Sequence, residues 1–415
     1  MFYNFGLQIK KGGSEGFLRI RYGKEENGAL VKKAAVYTRD EHRINFADVD
    51  RDAVFVCSRL RAGGFETYIV GGAVRDLMLG KKPKDFDIVT GATPAQIKKI
   101  FRNSRIIGRR FRLVHVFFGP RIFEVSTFRS LKDGHTSNTY GSIEEDVLRR
   151  DFSINALFYD PEKQVVVDYV KGMADIRRKK IRPIIPADLI FKDDPVRMIR
   201  ALKYAGATGF SVPWTLKRRI KKEAALLGAV SPSRRTEELF KIINSPHVER
   251  IVESLEDAGL YRYLQAEASA RLKEDAGFRR RYFLTLADLG VCNGNGAEKQ
   301  GGRVLMALVQ DYLADTHDWD ALKKGGWEEY KAVFFAARRF ILPMNPPRAD
   351  LEKAVRLVFA GYGIELKKAR IFDERRRGGG NRSGGPAAEH QPKAAQKNED
   401  SPAGGKGRRG PRPKR

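Results

Sequence analysis

Two carboxylates one residue apart, Asp85 and Asp87, follow shortly after a diglycine, Gly71-Gly72. On a strand the side chains of residues i and i+2 share a face, so both aspartates would project together while Phe86 and Ile88 enter the opposite layer. Like charges this close repel unless a divalent cation sits between them, and carboxylate oxygen is a ligand that suits Mg²⁺. The glycines let backbone approach a phosphate closely, and a helix starting there adds an anion-attracting terminus. Arg75 and Asp76 open that helix, where a charge pair can contact phosphate and brace the loop. A Gly-Gly turn or an Asp-x-Asp alone is an ordinary turn or solvated strand end. Their ordered combination suggests nucleotidyl transfer from a triphosphate seated on the turn.

The surrounding pattern supplies elements to hold these groups. Thr67 to Val70 reads as a short apolar strand, Ala73 to Leu79 as one or two helical turns, and a second strand begins near Asp85. Phe46 to Ala62 has apolar residues at helical spacing and ends at Gly63-Gly64. Thr93-Pro94 starts a helix through Phe101, and Ser104–Gly108, Leu113–Phe118 and Ile122–Phe128 read as strands. Alternation puts Glu124 with Ile122 and Ser126, so it can reach the surface of Asp85 and Asp87; a solvated glutamate is the plainer reading. Lys132 to Ser142 predicts a mobile loop near the site.

Further on, Arg149, Arg150, Asp151 and Asn155 form a set that is costly to bury unless something polar binds, a charged helix end being the alternative. Asp194 and Arg197 stand three apart, one above the other on a helix face. They form an internal salt bridge or else read a base edge, Asp accepting from the adenine amine and Arg donating to N1. Helical patterning then continues to about Leu366, through Thr236–Ile243, Val248–Ala258, Arg303–Ala314 and Tyr330–Phe340. Around Phe278–Phe283 and Phe334–Phe340, Arg and Lys alternate with rings, a pattern that suits either base stacking or ordinary amphipathic core helices.

Composition bounds the partners. A chain of 415 residues exceeds one typical core, at about 150 residues per domain. The net charge of +28 points to a polyanionic partner such as nucleic acid. Residues 375–415 hold 12 basic and 3 acidic side chains, a net of +9, so +19 remains on the rest of the chain and the folded part is itself basic. Those last residues have almost no large apolar side chains and are expected to be disordered. Two distant cysteines, Cys57 and Cys292, exclude a disulfide framework or a zinc cluster, and no histidine pairing suggests a metal. The absence of a run of about 18 apolar residues excludes a helical membrane span; a cytoplasmic enzyme is expected. The first 44 residues, with scattered Gly and charge, read as a poorly ordered extension.

The ordered set Gly71-Gly72, Arg75-Asp76, Asp85-x-Asp87, Glu124-Val-x-Thr-Phe-Arg129, Arg149-Arg-Asp-Phe-x-Ile-Asn155 and Asp194-x-x-Arg197 resembles the class II nucleotidyltransferases. That group contains CCA-adding tRNA nucleotidyltransferases and bacterial poly(A) polymerases. The resemblance is strong over about Phe65 to Gly209, and Ile106–Val116 and the basic tail look like the poly(A) polymerase branch. It implies an α+β fold: a head at 45–182 with a small mixed/antiparallel sheet and flanking helices, an all-α neck at 183–247, a helical RNA-binding body at 248–374, and a disordered basic tail at 375–415. It implies Asp85 and Asp87 as ligands of two Mg²⁺ ions, Glu124 as a supporting carboxylate and Asp151 as a catalytic-site acid near the nucleotide sugar. Gly71, Gly72, Arg75, Asp76, Arg150, Asn155 and Arg200 would serve the nucleotide, with Asp194 and Arg197 reading its base. Asp193 and Ser153 stand where the family usually has Glu and Thr. The implied reaction is AMP transfer from ATP to an RNA 3′-hydroxyl; CCA addition to tRNA and RNA binding without turnover are the alternatives.

Overall fold

One mixed sheet organises the N-terminal half of the chain. The computed structural model describes residues 19–24, 30–108, 113–130, 139–295 and 301–366. In chain order the head comprises β1 (Arg19–Lys24), β2 (Leu30–Tyr37), α1 (Arg39–His42), α2 (Arg51–Ala62), β3 (Thr67–Val70), α3 (Gly72–Met78), β4 (Asp87–Thr90) and α4 (Pro94–Ile100). It continues with β5 (Ser104–Ile107), β6 (Leu113–Phe118), β7 (Arg121–Thr127), α5 (Ile143–Arg149), β8 (Leu157–Asp160), β9 (Val165–Asp168) and α6 (Gly172–Arg177). The strand order is β1-β2-β9-β8-β3-β4-β7-β6-β5. Every pairing is antiparallel except β4 with β7, which is parallel.

Registers fix the centre of the sheet. Val70 at the end of β3 pairs with Asp87 at the start of β4, and Ile88 pairs with Val125 of β7. The diglycine and Asp87 therefore meet at one end of the central strands, with Glu124 one strand away. The layer beneath is apolar, with Tyr68, Val70, Val89, Phe158 and Val167 packed under Ile143 and Val147 of α5. Capping sets the helix starts. Thr93 and Ser142 each form a reciprocal capping box at the heads of α4 and α5.

Three expectations change here. Asp50 caps α2, so the helix predicted from Phe46 is broken into a 3₁₀ turn at Phe46–Asp48 and α2 proper. Asp85 lies in the irregular segment two residues before β4 rather than on the strand, although Phe86 and Ile88 are buried as alternation requires. The poorly ordered extension does not describe residues 30–44: β2 pairs with β9, and Ala34 and Val36 enter the core. The loop predicted at Lys132–Ser142 falls mostly on residues outside those described, as do the tail at 375–415 and the middle of Ile106–Val116.

The rest is helical: α7 (Ala187–Asp193), α8 (Val196–Thr208), α9 (Trp214–Glu223), α10 (Pro232–Ile243), α11 (Val248–Asp257), α12 (Ala266–Glu274), α13 (Ala276–Gly294), α14 (Gly301–Thr316), α15 (Trp319–Lys323), α16 (Trp327–Phe340) and α17 (Arg348–Gly361). Pro195 separates α7 from α8, because it cannot donate to a continuing helix and restricts the residue before it. Phe278, Tyr282, Phe334 and Phe340 are buried in the helical core, while Phe283 is half-buried and Phe335 exposed. No described helix is long and apolar enough to cross a membrane.

Candidate active site

Gly71 takes φ +72, a conformation that L side chains rarely adopt, and a Cβ there would lie 3.5 Å from Asp87 Oδ2. The turn and the carboxylate are thus within reach of a shared ligand. Burial, then the negative charge of Glu124, pushes the Asp87 carboxyl up to about 6; Arg150 opposes this and Asp85 adds to it. Asp87 still opens onto the cleft, so protein crowds it from behind while its front stays accessible. Glu124 is exposed on β7, with His115 Nε2 at 3.5 Å. Hard oxygen donors that repel one another fit a divalent cation. Among the described residues no group of three or more His, Cys, Asp or Glu is placed to hold a metal ion.

A cleft of about 570 Å³ opens from these carboxylates between the head and α8. It is lined by Gly71, Gly72, Arg75, Asp85, Asp87, Arg149, Arg150, Asp151, Asn155, Asp194, Arg197, Arg200, Tyr204 and Lys241. The residues expected from sequence thus converge, with two exceptions: Asp76 lines a neighbouring groove, and Glu124 acts on Asp87 from the adjacent strand.

Arg75 is the hub of the cleft wall. Its guanidinium donates to Asp76 Oδ1 at 2.7 and 2.9 Å and to Asn155 Oδ1 at 2.9 Å, and it lies 5.4 Å from the Tyr204 ring centroid. One side chain so ties α3 to the segment before β8 and to α8. Arg150 is held by Asp146 at 2.9 Å and rests on Phe158 at 4.9 Å. Burial, then the like charge of Arg129, pulls the Arg149 guanidinium below its usual range. This pocket of cations would be relieved by a polyphosphate.

Asp151 is buried. Its Oδ1 accepts from the Phe152 amide at 2.7 Å, and its Oδ2 stands 3.0 Å from Arg200 Nη2. That ion pair lacks hydrogen-bond geometry, so the buried Oδ2 keeps acceptor capacity that a ligand hydroxyl would fill. Arg197 is also buried. It pairs with Asp193 at 2.8 Å and donates to the Arg149 carbonyl oxygen at 3.0 Å.

The side chains of Asp194 and Arg197 are therefore not paired with each other, although the Arg197 amide donates to the Asp194 carbonyl oxygen at 3.0 Å. Asp194 sits in the break between α7 and α8, where its carboxylate accepts from the Val196 amide at 3.1 Å and from Arg234 of α10 at 2.7 Å. Asp193, notable in the sequence only as a departure from the family pattern, is what braces Arg197. Tyr204 escaped the sequence reading. Its hydroxyl, which burial pushes up to about 12, accepts from Arg200 at 2.7 and 3.1 Å. Its position four after Arg200 and seven after Arg197 on one helix face was the available signal.

A diglycine turn abutting Asp87 at the start of β4, with Asp85 two residues before it, faces an arginine-rich cleft, an arrangement that fits the nucleotidyltransferase fold. More particularly, residues 67–182 match the "Poly A polymerase head domain" family and residues 209–272 the "Probable RNA and SrmB- binding site of polymerase A" family. The chain is 43% identical over 236 residues to poly(A) polymerase I of Escherichia coli O6:H1, covering 53% of this chain and 51% of that protein. It is 36% identical over 224 residues to the CCA-adding enzyme of Latilactobacillus sakei subsp. sakei, covering 52% and 56%. The chain thus spans about half the length of the curated relatives it matches. Among solved structures it resembles the Bacillus stearothermophilus CCA-adding enzyme in complex with CTP, with TM-score 0.52 and 28% identity, over 75% of this chain and 82% of that one.

Proposed function

We propose that the chain lengthens RNA 3′ ends without a template, transferring AMP from ATP to the terminal 3′-hydroxyl and releasing pyrophosphate in the cytoplasm. The observation that carries the chemistry is the adjacency of Gly71 to Asp87 at the floor of the arginine-rich cleft. Asp85 and Asp87 would hold Mg²⁺, which supplies Lewis acidity at the 3′-hydroxyl and at the leaving pyrophosphate.

The protein's own part is positioning. Backbone at Gly71-Gly72, with Arg149 and Arg150, receives the triphosphate and aligns its α-phosphorus for in-line attack. Asp151 accepts from a ribose hydroxyl with its unspent Oδ2. Arg75 and Asn155 keep the α3 end and the sugar side in register. Arg197, oriented by Asp193, presents donors to the base, and Asp194, anchored by Arg234, supplies an acceptor. Glu124 keeps the carboxylate cluster electron-rich.

The higher identity to relatives named poly(A) polymerase I favours adenylate tailing. The likeness to a CCA-adding enzyme holding CTP keeps a second reading, completion of tRNA ends. Labelled ATP or CTP is incubated with tRNA lacking its 3′ end and with an unstructured RNA. Long A tails on both RNAs support the proposal; arrest after CCA on tRNA alone replaces it with the second reading; no product on either rejects turnover.

A further inference from the structure

The Asp85/Asp87 pair lies on the divide between two openings. Behind the nucleotide cleft a groove of about 390 Å³ shares Gly72, Arg75, Asp85 and Asp87 with it and is lined by Lys81, Lys82 and Lys84. The groove runs to Ala207 and Thr208 at the end of α8 and to His247 before α11. Their neighbours Gly206, Gly209 and Arg250 line a third cavity, of about 410 Å³, on the opposite face of α8. The rear groove and the third cavity thus open on either side of the C-terminal end of α8.

Helix α9 forms the outer wall of the third cavity. Its sequence, WTLKRRIKKE, holds five basic side chains against Glu223, and that acid is taken by Arg219 at 2.6 Å. Lys217 and Lys221 face the cavity, whose floor includes the apolar Phe210, Val212 and Ile220. Trp214 at the head of the helix is 69% exposed, the most exposed large apolar side chain among the described residues, and Arg218 lies 5.4 Å from its ring centroid. An open indole beside a surplus of cations and an apolar recess matches the chemistry of single-stranded nucleic acid, whose bases stack while its phosphates need neutralising. A protein partner would fit the apolar recess but would leave a track of lysines from the carboxylates unexplained.

We infer that the RNA strand upstream of its 3′ end runs from Asp85/Asp87 past Lys81, Lys82 and Lys84, around the end of α8, to an anchoring site on α9 where Trp214 stacks a base. This rests on the function proposed above, and it assigns where the acceptor strand is held.

The test uses the intact chain with a fluorescein-labelled 20-nucleotide oligo(A), read by anisotropy across a KCl series without ATP or divalent metal. Trp214→Ala weakens binding about ten-fold while Trp214→Phe keeps most of the affinity. Lys217→Gln with Lys221→Gln flattens the slope of log K against log[KCl] by about 0.7 for each phosphate no longer neutralised. Circular dichroism and ATP binding of each variant match the parent. Parental affinity and slope in the Trp214→Ala and double lysine variants overturn the inference, as does a Trp214→Phe variant as weak as Trp214→Ala. Because no nucleotide is present, this result is separate from whether the parent adds AMP to RNA.

Discussion

Asp87 carries two burdens, a crowded site and like-charged neighbours, and both have measurable consequences. A carboxyl raised to about 6 is protonated below that pH, and a proton competes with a cation for the same oxygen. Divalent-metal affinity and AMP transfer are therefore expected to fall as pH drops through about 6, by up to about ten-fold per unit for one proton displaced. The sign for stability is the reverse of that of a salt-bridged aspartate. A folded-state pKa above the unfolded value costs stability once pH exceeds the unfolded value. Asp87→Asn should thus melt no lower than the parent at pH 8 in metal-free buffer while losing activity. Asp85→Ala and Asp87→Ala should each abolish AMP incorporation with RNA affinity largely kept; near-normal incorporation in either variant would remove the metal-ligand assignment. Much of this was legible in the sequence, because a diglycine and an Asp-x-Asp are local motifs. The start of β4 at Asp87, which leaves Asp85 off the strand, was not, since alternation through Phe86 and Ile88 holds either way.

Helix α8 shows how much of the site is set by an element rather than by single residues. One face carries Arg197, Arg200 and Tyr204 to the nucleotide cleft, and the other, through Leu202, Ala205 and Gly206, walls the rear cavity. Gly206 permits this packing, because a Cβ there would stand 2.5 Å from Ile251 Cγ1 of α11. Removing Asp193, which orients Arg197 from the preceding helix, should relax ATP over CTP selection in the same direction as Arg197→Ala. Kinetics on the single and double variants would show strong non-additivity; unchanged selectivity in Arg197→Ala means the base is chosen elsewhere. The helix is also pinned to α10 by the half-buried Lys203 and the buried Glu238, 2.5 Å apart. Burial alone would raise the Glu238 carboxyl, but Lys203, Lys241 and Arg200 together hold it below its usual range. That contribution is present above the normal carboxylate range and lost as pH falls through the lowered value. Breaking such a buried pair leaves one charge uncompensated, so Glu238→Gln should cost about 3 kcal/mol or more in denaturant unfolding. Sequence separations of 80 for Arg75–Asn155 and 35 for Lys203–Glu238 explain why these links were unreadable in the sequence. The β2 strand was missed for a different reason: its paired lysines break the alternation, and its described contribution to the core is only Ala34 and Val36.

At the scale of the whole molecule, charge is the dominant property. The +28 net charge divides into +9 on residues 375–415 and +19 on the remainder, so the residues before 375 keep most of the attraction for a polyanion. Each phosphate neutralised releases counterions, and for single strands the slope of log K against log[salt] grows by about 0.7 per phosphate. A chain ending at residue 374 should therefore still bind oligo(A), more weakly at low salt and with a shallower slope than the intact chain. Its affinity for ATP should be unaltered, because every residue lining the nucleotide cleft precedes residue 242. If truncation instead abolished RNA binding at 50 mM KCl, the folded part would contribute little despite its charge. The track from Lys81 to Trp214 would then lose its purpose. Anisotropy on the two chains, each across the same KCl series, separates these outcomes, since the steering charge and the positioned side chains respond to salt with different slopes.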